Sequence, residues 1–131
     1  MGSFSNYWEN KILDHIFGKA SYTPPAIYVG LSIADPLDDA SGLAEPTGNG
    51  YARVATSASD WNAASGGTID NANTVTFAEA TGGWGTITHF ALFDAATSGN
   101  MLAHGSLSQS KAINSGDTAK FDVGALDVSL D

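Results

Sequence analysis

Between Trp84 and Phe93 the sequence reads WGTITHFALF, with apolar side chains on both phases of a two-residue alternation. Trp84, Phe90 and Leu92 fall on one face, and Ile87, Ala91 and Phe93 on the other. Successive side chains of a strand point to opposite faces, so this segment needs apolar cover above and below. A chain holding such a strand must build two layers around it.

The rest of the sequence supplies short strands for those layers. Residues 26–32 (AIYVGLS), 51–55 (YARVA) and 73–78 (NTVTFA) read as strands, the last with Val75 and Phe77 on one face. Residues 101–107 fold back on the two-faced strand as a hairpin through AATSGN. Near the C-terminus Ala119, Phe121 and Val123 alternate on odd positions, whereas Leu126, Val128 and Leu130 alternate on even ones. The phase slips at Gly124-Ala125, which requires a bulge or a bend. Turn-rich segments punctuate these runs. Residues 56–67 read as a loop with Trp61 tucked inward, and residues 34–50 (ADPLDDASGLAEPTGNG) as a long surface loop. The expected fold is mainly β: an antiparallel β-sandwich of about seven short strands with one N-terminal amphipathic helix. No repeat or linker interrupts the chain, so residues 1–131 read as a single domain.

The helix is expected at about residues 6–17. Asn6 with Glu9 three residues on resembles a capping box, and Gly18 is a natural stop. Trp8, Ile12 and Ile16 recur every four residues, with Leu13 and Phe17 widening the stripe. A helix this short is marginal alone in water, so its apolar face must dock somewhere. Phe4, Tyr7, Trp8, Ile12, Leu13, Ile16 and Phe17 are therefore candidates for an oligomer or partner contact, docking on the chain's own body being the alternative. Met1-Gly2-Ser3 resembles an expression remnant and receives no element.

Composition narrows the function. The chain has no cysteine, which removes disulfides, thiolate catalysis and cysteine-based metal centres. A net charge of −9 gives no electrostatic footprint for nucleic acid, so direct binding of DNA or RNA is not expected. No apolar run approaches the roughly 20 residues a membrane span needs. The N-terminal segment lacks the basic start of a secretory signal, which suggests synthesis in a cytoplasm.

No catalytic constellation emerges. The glycine-rich stretches GWG and SGG match no phosphate-binding pattern, and no nucleophile elbow is present. Asp35, Asp38, Asp39 and Glu45 lie in the long loop without the spacing of a calcium loop, and read as a solvated or partner-facing acidic segment. His89 and His104 share a face if Ala91 lies opposite His104, and lie on opposite faces if the register moves by one. Two histidines without a third ligand make a poor metal site, so the expectation is packing, with no catalytic residue, metal or cofactor.

Several stretches carry a family resemblance: YVGLS-x-ADP at 28–36, GYAR at 50–53, the GWGTITHFALFDA run and the INSGDTAKF run. Together they resemble small bacteriophage structural proteins of the kind labelled phage tail fibre proteins, some of which serve as capsid cement or decoration proteins. The resemblance runs from about Ser5 to the C-terminus. It implies a non-enzymatic virion component, made in the host cytoplasm and assembled as a homo-oligomer with other virion proteins. On this basis the first expectation is a cement or decoration protein that stabilises the shell against the major capsid protein. A tail fibre or baseplate adaptor is the alternative. A carbohydrate-binding sandwich is a third reading, with Tyr51, Trp61 and Trp84 as stacking platforms.

Overall fold

The structure, a computed structural model, describes residues 2–130. It is mainly β with one N-terminal helix, as expected. In chain order the elements are β1 (Gly2–Phe4), α1 (Asn6–Ile16), β2 (Ile27–Ser32), β3 (Val54–Thr56), a 3-10 turn (Ala58–Asp60), β4 (Thr68–Asp70), β5 (Val75–Thr76), β6 (Gly85–Phe93), β7 (Met101–Ile113), β8 (Lys120–Phe121) and β9 (Asp127–Ser129). Seven strands form one sheet in the order β3-β2-β6-β7-β1-β9-β4, and β5 pairs with β8 in a two-stranded ribbon. All pairs are antiparallel except β1 with β9, so the large sheet is mixed.

β6 is central, flanked by β2 and β7, which is where a strand with two apolar faces must sit. One face meets the ribbon. Val75, Phe77 and Phe121 pack there against Leu31, Phe90, Leu92, Leu102, Leu126 and Val128. The opposite face holds a smaller cluster of Ala91, Phe93 and Met101, covered by Tyr28, Ala40 and Leu43. Ile87 departs from the simple alternation and lies in the same cluster as Phe90. The cause is a register shift. From Ile87 to His89 is two steps on β6, while their partners Lys111 and Ser106 are five steps apart on β7. That irregularity carries β7 on to Ile113, past the expected end at residue 107.

The slip in phase at Gly124-Ala125 is the point where the chain changes sheets. β8 belongs to the ribbon and β9 to the large sheet. Gly124 adopts a φ of +79°, open to glycine at little steric cost. Asn71, fully buried, holds the crossing in place. Its Nδ2 donates to the carbonyls of Asn73 and Asp122, each at 2.9 Å, and its Oδ1 accepts from Leu126 N at 2.9 Å. The expected alternation holds for Leu126 and Val128, which are buried, but not for Val123 and Leu130, which are 61% and 63% exposed.

Two strands were not legible. β1 lies between β7 and β9, so Gly2–Phe4 is an interior strand and not a dispensable leader. Gly2 is buried there, and the position needs glycine, since a β-carbon would come within 2.7 Å of both the His104 carbonyl oxygen and the Phe90 ring. β4 is an edge strand held by β9. The N-cap of α1 is Ser5, not Asn6. Ser5 ends β1 by donating its N–H to Leu102 O, and its Oγ donates to Met101 O at 2.6 Å while accepting from Trp8 N at 3.3 Å. Tertiary pairing thus sets the helix start one residue earlier than the capping-box pattern implied.

Candidate functional site under the acidic loop

Residues 33–44 form a loop that leaves and returns at one point. Ser32, the last residue of β2, is fully buried and its Oγ donates to Ala34 O at 2.7 Å. The same oxygen accepts from Ala44 N at 3.1 Å, and Ile33 N donates to Ala44 O. Closed at its neck, the loop folds over the outer face of β6 and β7, and its Ala40 and Leu43 pack on Ala91, Phe93 and Met101.

The loop brings two carboxylates over two imidazoles. Ala91 pairs with His104 and His89 with Ser106, so both histidines stand on the outer face. Of the two registers open to the sequence, the one placing them together is present. His104 Nε2 lies 2.8 Å from Asp38 Oδ1, and His104 Nδ1 lies 3.9 Å from Asp35 Oδ1. His89 Nε2 lies 3.9 Å from the same Asp35 oxygen, while its Nδ1 is 2.8 Å from Thr88 Oγ1. The imidazoles are 19% and 13% exposed, whereas the Asp35 side chain is 56% exposed. Among the described residues, no three ligand-type side chains are already drawn together so as to hold a metal ion.

The other two acids of the loop behave differently. Glu45 turns inward. It receives Arg53 Nε at 3.0 Å and Arg53 Nη2 at 2.6 Å, and Tyr51 Oη donates to it at 2.7 Å. It is therefore an internal counter-ion and not a partner-facing group. Asp39 stays at the surface, where hydrogen bonds from Ser41 hold its carboxyl below the ordinary value. Burial, and then the hydrogen bond to Glu45, push the Tyr51 phenol above its ordinary range.

The helix stripe divides. Tyr7 and Trp8 pack on the main core beside Phe4, which belongs to β1 and stacks on Trp8 at 4.4 Å between ring centroids. Ile12 is half-buried. Leu13, Ile16 and Phe17 are 55%, 71% and 74% exposed, forming an apolar end to the helix. The aromatic platforms of the carbohydrate reading are drawn inward, Trp84 fully and Tyr51 and Trp61 in part. Trp84 is buried and Tyr51 and Trp61 pack into the same core. Their polar atoms are used internally too: Trp84 Nε1 donates to Asn49 O and Trp61 Nε1 to Thr56 Oγ1.

A family model described as Podophage GP4 fiber I protein gp80 matches residues 3–129. The chain belongs to that family. The match spans β1 through β9, so the fibre family covers both sheets and the loop over the histidines. It bears out the resemblance to small phage structural proteins. No curated protein matches the chain. Among the described residues, no helix is long and apolar enough to cross a membrane.

Proposed function

We propose that this chain is a non-enzymatic fibre component of a podophage virion, built as a rigid β module that docks on copies of itself and on neighbouring virion proteins. The observation that carries the reading is the fibre-family match along residues 3–129. It favours the tail-fibre alternative over capsid cement. The fold suits the role, since most large apolar groups serve internal packing, while Leu13, Ile16 and Phe17 stay exposed together at the end of α1, and Ile33, Leu37, Val123 and Leu130 are exposed elsewhere.

That surface, Leu13, Ile16 and Phe17, is the contact for a second copy. Lys11 and Lys19 flank it, two of the five Lys and Arg residues in a chain of net charge −9. Glu9 and Asp14 lie in the same stretch and balance the two lysines, so the helix end is an apolar patch without net charge, and another copy would cover it chiefly by apolar burial.

Labelled-antibody imaging of intact particles tests the location. Label on fibres at the tail end, with copies in the range of a few to a few dozen, supports the reading. Label spread over the head in hundreds of copies would return the protein to the cement role. Replacing Ile16 by Asp together with Phe17 by Ser tests the contact. The variant keeps its circular dichroism and thermal transition, because both side chains are exposed, but sediments as a smaller species. Unchanged assembly would sink the assignment of the helix.

A further inference from the structure

We infer that the cleft between β7 and β8 is a binding site for a neutral saccharide, with Phe121 as its apolar platform and Ser106, Ser108 and Gln109 among its polar contacts. The cleft lies where β7 leaves its neighbours. β1 accompanies β7 only from Ala103 to Gly105. On the other side, Ile87 pairs with Lys111 and His89 with Ser106, so residues 107–110 stand opposite Thr88 alone. A bulge bends its strand and re-aims side chains, a device found often beside functional sites. Between this bulged stretch and residues 117–125 opens a cleft of about 780 Å³. That size is within the range of small-molecule sites.

The lining has two characters. Leu31, Ile87 and Phe90, buried members of the main core, form an apolar floor. Phe121 also lines the cleft, and its ring is fixed by Phe77 and Phe90 at 6.3 and 6.2 Å between centroids. A ring already locked by its neighbours offers a flat apolar surface with little entropy left to lose. The walls are polar and exposed: Ser106, Ser108, Gln109 and Lys111 on one side, Thr118 and Lys120 on the other. Among the described residues, Ser106, Ser108, Gln109 and Thr118 spend no side-chain hydrogen bond on the chain itself.

That combination selects the ligand class. Lys111 and Lys120 stand against Asp117, Asp122 and Asp127 in the lining, so the charges nearly cancel and an anion such as phosphate finds no net attraction. Lys120 pairs with Asp122 at 3.7 Å, and Asp117 accepts from Asn114 N at 2.8 Å. A wholly apolar ligand would strip water from the hydroxyls and the amide without replacing it. An extended peptide is disfavoured too, since a lysine and a bulge are the devices that keep a foreign strand off an open edge. What fits is a neutral ring with one apolar face and hydroxyls around its rim, which is a pyranose. The site holds whether the chain sits on a fibre or on the head, and it lies apart from Tyr51, Trp61 and Trp84.

The test uses the full chain with glucose, galactose, mannose, rhamnose and N-acetylglucosamine, each at millimolar concentration, read by saturation-transfer NMR and by amide shift mapping. At least one sugar receives saturation, and the shifted amides fall within residues 106–111 and 117–122. Gln109→Ala, at an exposed position, lowers the affinity about tenfold with Tm unchanged. Phe121→Leu keeps an apolar side chain against Phe77 and Phe90 but removes the platform and most of the binding. Lys19→Ala, beyond the helix end, leaves binding intact. A folded chain that takes up none of these sugars overturns the proposal. So do shifts centred outside the cleft, an equal response to inorganic phosphate, or undiminished affinity in Gln109→Ala combined with Phe121→Leu.

Discussion

The Arg53 guanidinium carbon lies 3.5 Å from the centroid of the Phe93 ring, a cation–π contact inside the protein. Every polar edge of that guanidinium is used. Two nitrogens grip Glu45 and Nη1 donates to the carbonyls of Ala95 and Ser98, each at 2.8 Å. The Arg53 side chain is 5% exposed and Glu45 19%. One side chain thus ties the neck of the acidic loop to the hairpin between β6 and β7.

Removing one member of such a pair strands the other's charge in a low-dielectric site. Arg53→Ala is expected to cost about 3–5 kcal/mol, lowering Tm by roughly 10 °C or more. Arg53→Ala combined with Glu45→Ala should cost less than the sum of the two single changes. Thermal denaturation of the three variants measures this. Additive losses would mean that the two groups do not act as a unit.

Tyr51 makes stability sensitive to alkali. Its phenol is held above the ordinary value by burial and then by Glu45. The folded state therefore keeps its proton where the unfolded chain, titrating near pH 10, releases it. This contribution is whole below about pH 10 and is lost as pH climbs through the folded value. Tyr51→Phe should be less stable at neutral pH, because Leu31 N loses its acceptor, yet fall less steeply above about pH 10. Denaturant melts across the alkaline range, with phenolate absorbance alongside, check the slope.

Asn71 has a purely structural job. Three side-chain hydrogen bonds at 2.9 Å satisfy it, one of them from the N–H of the fully buried Leu126. Asn71→Ala should cost roughly 2–4 kcal/mol, and Asn71→Asp little less, since a carboxylate cannot donate to Asn73 O and Asp122 O. In Asn71→Ala, hydrogen exchange would show the loss first at the amide of Leu126, which donates to the Asn71 side chain.

Gly2 tests whether the first residues belong to the fold. Gly2→Val places a side chain against the His104 carbonyl and Phe90, and is expected to destabilise by about 1–3 kcal/mol. A variant with unchanged Tm would show that β1 is not closely packed.

Local pattern alone determined the mainly β character, a helix expected at about residues 6–17 with Gly18 beyond it, the long loop, and the bend near Gly124; the helix ends at Ile16, with Phe17 as its C-cap. Each rests on a period, a turn residue or a phase slip that neighbours in sequence create. The shared face of His89 and His104 was legible only as one of two registers, because a one-residue slip inverts a strand and nothing local forbids it. Tertiary structure decided that register through the pairing of Ala91 with His104, and it moved Ile87 onto the Phe90 face through the irregularity in β7. It also decided that Gly2–Phe4 is a strand, since three residues carry no period and gain their hydrogen bonds only from β7 and β9. Asp35 and Asp38 came to the histidines the same way. A loop's carboxylates stand 51 to 69 positions from those rings in the chain, and only the closure of that loop at Ser32 brings them within reach.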